Sequence, residues 1–264
     1  MSQAMPPTVL IVAGNDPSGG AGLTADLQTV TALGGHPAPV ISALTVQDTR
    51  NASRVVPADP WLVTEQMQAV LEDQAVAAVK IGLLASAAIA RAVADVLAAL
   101  KRPIPVVLDP VLVAAGGAAL AEQELGSVLV DALMPMTTVA TPNAQEIREL
   151  APDAGTREER AGRLLEGGCD FVLAKGGDEP TADVENVLFG ADGTVRSWTW
   201  PRLPNAYHGS GCTLAAAIAT CLARGRSAQD AVDEAQVWTQ SALAAAFRPG
   251  RGQHIPLRRQ APER

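Results

Sequence analysis

TVLIVAGNDPSGGAGLTAD, residues 8–26, joins an apolar β-branched run to a glycine-rich loop and then to an apolar segment, and this order sets the fold class. Val9 to Ala13 is uncharged and too short for a helix, so it reads as a buried strand. The loop that follows, AGNDPSGGAG, holds more glycine than a simple turn needs and runs directly into a helix carrying Asp26. The same succession recurs along the chain. β-Branched runs at Val40 to Thr45, Ala78 to Ile81, Val106 to Leu108, Val139 to Ala140 and Phe171 to Ala174 alternate with longer alanine- and leucine-rich segments. Alternation of this kind builds βαβ units and a mostly parallel sheet, an α/β fold.

Local signals place several element ends. Pro60 after Asp59 suits a helix start, Ser86 suits an N-cap before a helix ending near Lys101, and Asp131 to Met134 closes another. Val184 to Phe189 and Thr194 to Trp200 flank a GADG turn, which predicts an antiparallel hairpin at one sheet edge. From Arg248 onward Pro, Gly and Arg mix, so residues 249–264 read as an extended or partly disordered tail. No repeat or low-complexity linker divides the chain, and 264 residues at 48% hydrophobic content suit one domain, 1–264, with a large core.

The bulk properties exclude several roles. With 20 basic against 28 acidic residues the formal charge is −8, and no basic run carries interleaved aromatics, which argues against a nucleic-acid partner. Cys169, Cys212 and Cys221 have neither an even count nor metal-like spacing, so the reading is a reducing cytoplasm without disulfides or zinc. Asn15, Asp16 and Pro17 end the first apolar run too early for a secretory signal, and Arg91 and Asp95 interrupt the richest alanine stretch, which argues against a membrane span.

The strongest chemical signal is HGSGCTL, residues 208–214. Gly209 and Gly211 around Ser210 permit a tight turn, and the alanine-rich run from Leu214 to Ala223 is the helix that follows. Unpaired N–H groups and the positive helix end then face one point, as an anion site requires. A cysteine in that first turn is expected to have its thiolate favoured, so Cys212 reads either as a base or nucleophile or as a small buried residue. Polar and glycine clusters also follow the predicted strands at Gly14 to Gly22, Gln47 to Asn51, Lys80 to Leu83, Asp109 to Gly117, Thr141 to Glu146 and Lys175 to Asp178. Open α/β sheets bind ligands at that edge.

Asn143 and Glu146 fit a capping box, or alternatively the surroundings of a hydrated magnesium ion. Lys175, after an apolar strand and before two glycines, could reach a phosphate. Asp109 ends a buried-looking strand, where a carboxylate needs a partner, water or a cation. His208 adjoins the glycine loop and reads as a hydrogen-bonded loop histidine without catalytic role.

Taken in order, AGNDPSGGAGLTADLQTVTALGG, ISALTVQDTR, VKIGLLAS, VVLDPVLV, ATPNAQEI, LAKGGD and HGSGCTLAAAIA resemble the hydroxymethylpyrimidine and phosphomethylpyrimidine kinases of the ribokinase-like superfamily over nearly the whole chain. The resemblance implies a three-layer α/β/α sandwich, a homodimer, and ATP- and Mg²⁺-dependent phosphorylation of a pyrimidine hydroxymethyl group and then of its monophosphate. It makes Gln47 the pyrimidine-binding glutamine, with Gly14, Asp26, Thr45, Gly82, Leu83 and Val111 lining the same pocket. Lys175 and Asn143 fall on the ATP side, Asp109 and Glu146 on the metal side. Gly209, Ser210, Gly211 and Cys212 become the catalytic loop. In the wider superfamily an aspartate stands at the position of Cys212 and serves as base. One departure lies after VVLDPV, where many relatives carry a lysine and this chain has Ala115 and Gly116. A pyridoxal or pyridoxine kinase, and a noncatalytic pyrimidine-binding protein, are the alternatives.

Overall fold

The computed structural model describes residues 5–112 and 124–259. Strand β1 (Thr8–Asn15) alternates its side chains between two separate cores: Leu10 and Val12 point to one, Val9, Ile11 and Ala13 to the other. A strand buried on both faces must be apolar throughout, which is why its sequence shows no polar alternation. It belongs to a nine-stranded sheet of order β3-β2-β1-β4-β5-β6-β7-β8-β9. The other strands are β2 (His36–Gln47), β3 (Ala52–Pro57), β4 (Val76–Ile81), β5 (Val106–Leu108), β6 (Val139–Ala140), β7 (Phe171–Ala174), β8 (Asp183–Gly190) and β9 (Val195–Pro201).

The strands from β2 through β7 in that order run parallel, whereas β3 and the expected β8–β9 hairpin are added by antiparallel pairing at the two edges. Strand β3 was not anticipated; it pairs back on β2 with Leu44 opposite Val56.

Helices α1 (Gly22–Ala32), α7 (Ser210–Ala223) and α8 (Ala228–Ala244) cover one face of the sheet. Helices α2 (Pro60–Asp73), α3 (Ala87–Ala98), α4 (Leu125–Val128), α5 (Ala144–Leu150) and α6 (Arg157–Glu166) cover the other. This is the three-layer α/β/α sandwich. Asp59 caps α2 by accepting from the Trp61 N–H at 2.8 Å, and Ser86 caps α3 by accepting from Ile89 at 3.2 Å. The segment closing at Met134 continues α4 as a wider π turn, Leu129–Leu133, and a short 3₁₀ turn.

Sheet order reverses between β1 and β4, since the chain leaves β1 toward β2 and returns on the other side. Ligands of open α/β sheets bind at this switch point. One ion pair ties the layers there. Lys80 of β4 donates to Asp26 of α1 at 2.8 Å, and both side chains are fully buried. Burial pushes the Asp26 carboxyl up to about 6 although Lys80 draws it down, and the neighbouring acids hold the Lys80 ammonium charged despite its burial.

The described part of the tail, residues 249–259, forms no helix or strand, in keeping with an extended end, and it is packed. Phe247 and Ile255 bridge each other, His254 pairs with Tyr207, and Ile255 and Arg258 are buried. The chain through residue 259 is therefore docked.

Removing one partner of a buried pair strands the other charge. Lys80→Met should cost about 3–5 kcal/mol in urea unfolding, and adding Asp26→Leu should recover most of it. A single-mutant cost under about 1 kcal/mol would mean that the pair behaves like an exposed one.

Candidate active site

Loops following β1, β4, β5, β6 and β7 meet the start of α7 around a cavity of about 570 Å³. Of the residues expected to bind substrate, Gly14, Thr45, Gln47, Leu83 and Val111 line it, as do Asp109, Asn143, Glu146, Lys175 and the whole run from Gly209 to Cys212. Two do not. Asp26 lies beneath the floor in its pair with Lys80, and Gly82 packs over the Lys80 side chain, where an added Cβ would stand 2.6 Å from Nζ. Sequence position brought Gly82 to the right loop and Asp26 to the right helix but could not tell the floor from the layer under it. Ala115 and Gly116, where relatives carry the lysine, lie outside the described residues.

At one end of the cavity the Gln47 amide lies between Thr45 and His208. The Thr45 hydroxyl lies 3.0 Å from the Asn15 carbonyl and 3.1 Å from Gln47 Oε1, while Gln47 Nε2 lies 3.2 Å from His208 Nε2. His208 Nε2 in turn sits 2.8 Å from Asp16 Oδ2. Burial alone would raise the Asp16 carboxyl, but hydrogen bonds from His208 and Ser18 outweigh it and hold Asp16 below its usual range. His208 is the hydrogen-bonded loop histidine expected, yet it also lines the cavity beside Gln47. Neither it nor Asp16 was assigned to the pocket from sequence.

Toward the middle, Gly209 takes the left-handed conformation (φ 78°) and α7 begins without a side-chain cap. An uncapped helix start leaves backbone donors for an anion. Gly211 lies close to Lys175: a Cβ there would stand 3.0 Å from Lys175 Nζ, a tight contact that the lysine end would have to yield to. Lys175 donates to Asp109 Oδ1 at 2.9 Å, and the Thr141 hydroxyl donates to the same oxygen at 3.0 Å. Burial would raise the Asp109 carboxyl, but Lys175 and Lys80 prevail and keep it low.

Asn143 and Glu146 form the capping box of α5. Asn143 Oδ1 accepts from the Glu146 N–H at 2.8 Å, and Glu146 Oε2 accepts from the Asn143 N–H at 2.8 Å. The cap does not exclude the second reading, because Glu146 also faces the cavity. Burial, reinforced by Asp109 against the pull of Lys175, pushes its carboxyl up to about 8. Such a group is short of a positive neighbour.

Cys212 corrects an expectation. Burial pushes its thiol up to about 11; Lys80 and the Gly22 N–H oppose the rise, while Asp26 and Asp109 add to it. Desolvation and two acids thus outweigh the helix end, so the thiol is neutral at pH 7. The helix start was legible in sequence; the acids behind it were not.

The far end is formed by Val184, Trp200 and Leu243 with Asn186, Gln236 and Thr239. Gln236 Oε1 accepts from Asn186 Nδ2 at 2.8 Å and Trp200 Nε1 at 3.2 Å, whereas Gln236 Nε2 and Thr239 Oγ1 are buried without partners. No motif marks these residues, since i and i+3 polar positions on a helix look solvated.

A parallel sheet that presents an oriented amide, an uncapped glycine-rich helix start and an aspartate–lysine pair within one cavity belongs to the small-molecule kinases of ribokinase-like fold. The phosphomethylpyrimidine kinase model matches residues 16–258. The chain is 41% identical to the thiamine biosynthesis bifunctional protein ThiED of Geobacter sulfurreducens over 95% of its own length, spanning 51% of that relative. It is equally 41% identical to the hydroxymethylpyrimidine/phosphomethylpyrimidine kinase of Escherichia coli K12, over 90% of this chain and 91% of the relative. The pyridoxal kinase of Staphylococcus aureus, solved with AMP-PCP and pyridoxal, superposes with a TM-score of 0.87 at 26% identity, covering 97% of this chain and 94% of that one. The chain belongs to the phosphomethylpyrimidine kinase family.

The neutral thiol has a direct check. Peptide mass spectrometry after iodoacetamide treatment should show slow alkylation of Cys212 at pH 7, rising steadily toward about 11. Fast labelling at neutral pH would mean that the helix end governs the thiol instead.

Proposed function

We propose that this chain transfers the γ-phosphoryl group of ATP to the hydroxymethyl group of 4-amino-5-hydroxymethyl-2-methylpyrimidine, and then phosphorylates the monophosphate, in thiamine biosynthesis. The observation that carries this reading is the Gln47 side chain, which lines the cavity beside Thr45 with an amide able to donate to and accept from an aminopyrimidine edge. Gly14, Leu83 and Val111 supply the apolar walls around it.

ATP fits with its base at the Trp200, Gln236 and Thr239 end, where one amide donor and one hydroxyl lack partners, and its γ-phosphate at Gly209, Ser210 and Gly211. Lys175 and Asn143 stand between these ends. Glu146 and Asp109 suit a hydrated Mg²⁺, because both are carboxylates facing the cavity and Glu146 is a buried acid in want of positive charge. When bound, the ion would neutralise charge on the phosphates. The chain's own residues do the remainder: the backbone at Gly209 to Gly211 donates to charge on the moving group, and Cys212 holds the acceptor hydroxyl as a neutral thiol. A loose phosphoryl-transfer transition state asks little of a base, which fits a thiol of pKa about 11.

A homodimer in the cytoplasm completes the proposal. Leu44, Val46 and Val56 are exposed on the β2–β3 face opposite Thr45 and Gln47, an apolar surface suited to a second copy, and three free cysteines suit a reducing compartment. The pyridoxal-kinase reading is favoured by the close superposition on the S. aureus enzyme.

Purified protein given ATP and Mg²⁺ should phosphorylate the pyrimidine alcohol and its monophosphate faster than pyridoxal. Pyridoxal turning over fastest would favour the second reading, and no turnover with intact binding would indicate a pyrimidine-binding protein. Gln47→Ala should weaken pyrimidine binding by roughly 1–3 kcal/mol in calorimetry, the cost of an unpaired polar group; unchanged affinity would remove Gln47 from the acceptor site.

A cation must displace the proton that Glu146 retains below about 8, so Mg²⁺ affinity should rise as pH approaches 8 and proton release should accompany binding. Calorimetry in buffers of different ionisation enthalpy reads this release. Its persistence in Glu146→Gln would assign the proton elsewhere.

A further inference from the structure

Arg258 belongs to the docked tail, lies outside every helix and strand, and lines no part of the cavity, yet its guanidinium is buried directly behind the glycine loop. Nε donates to Thr213 Oγ1 at 2.8 Å, Nη1 to Gln28 Oε1 at 3.2 Å, and Nη2 to the Gly20 carbonyl at 2.6 Å and the Gly209 carbonyl at 3.5 Å. Every acceptor is neutral. Among the described residues no carboxylate forms an ion pair with it. A buried cation without an ion-pair partner is costly, and burial pulls the Arg258 pKa down to about 10.

The acceptors are not arbitrary. The Gly209 carbonyl also accepts from the Thr213 N–H at 2.9 Å and the Thr213 hydroxyl at 2.7 Å, so Arg258 grips it both directly and through Thr213. In a trans peptide the C=O and the following N–H point in opposite directions. Holding the Gly209 carbonyl toward Arg258 therefore aims the Ser210 N–H away from it, on the side where Gly209, Ser210 and Gly211 line the cavity. The same logic applies to the first loop. Arg258 holds the Gly20 carbonyl, and the next N–H, of Ala21, donates to Asp16 Oδ2 at 2.8 Å. An added Cβ at Gly209 would stand 2.9 Å from Nη2 and collide with the Gly20 carbonyl, so the two loops and the guanidinium fit without slack.

We propose that Arg258 is a positioning residue for phosphoryl transfer, fixing the peptide planes of the anion loop and setting a permanent positive charge behind it. The acceptor end has its own supports in Ser18 and Thr45, so the effect falls on the transferring group. This inference rests on the phosphotransferase reading.

The test compares Arg258→Met and Arg258→Lys with the full-length chain. Arg258→Met should keep its circular dichroism and pyrimidine affinity while kcat falls at least about tenfold, less than the roughly 10²- to 10³-fold loss on removing an oxyanion-type donor outright. Arg258→Lys restores charge but not the planar fork and should recover only part of kcat. Added guanidinium should partly rescue Arg258→Met. Hydrogen exchange gives a readout independent of turnover: amides of residues 213–216, the first hydrogen-bonded ones of α7, should lose protection in Arg258→Met while those of β1 keep it. Wild-type kcat in either variant, or unchanged exchange at 213–216, overturns the proposal. If Arg258→Met fails to fold, the kcat and exchange of Arg258→Lys decide in the same way. A wild-type protein inactive on every acceptor would instead overturn the phosphotransferase reading, with exchange still reporting on Arg258.

Discussion

The Lys80–Asp26 pair sets the terms for the rest of the site. A lysine fully buried at the end of β4 must be answered by an acid, and α1 supplies it from the layer below. That fixes the first glycine loop against the sheet at the point where strand order reverses. Above the pair, a second lysine, Lys175, is answered by Asp109, and the remaining acid, Glu146, stays without a full counter-charge. The cavity is thus built on charges balanced underneath and left partly unbalanced within.

Much of this was legible in the sequence because backbone chemistry writes itself into short patterns. Buried parallel strands demand apolar runs, and glycine marks where backbone must approach something closely, as at Gly209 and Gly211. Six strand ends therefore pointed to one edge before any coordinate was known. Tertiary depth was what the sequence could not express. Asp26 in α1 and Gly82 after β4 sit one layer too low, and Cys212 sits at a helix start whose influence is overridden by burial and neighbouring acids. Lys80, Gln236 and Arg258 look like surface residues when read along the chain. Lys80 alone gave a signal, as a single charge within the otherwise apolar AAVKIGLL.

The comparisons separate two kinds of information. Relatives near 40% identity include one named a hydroxymethylpyrimidine/phosphomethylpyrimidine kinase, while the S. aureus structure that superposes with a TM-score of 0.87 is a pyridoxal kinase at 26% identity. A shared sandwich does not choose between two flat heteroaromatic alcohols.

The tail contact also bears on how the molecule is assembled. Arg258 and the Gly20 carbonyl are 238 residues apart in sequence, so their hydrogen bond closes nearly the whole chain into a ring. Contacts of such separation form only after the intervening sheet has brought the ends together. The described strands and helices all precede this arginine in sequence, so the layers they form can assemble before its contacts to Gly20 and Gly209 are made.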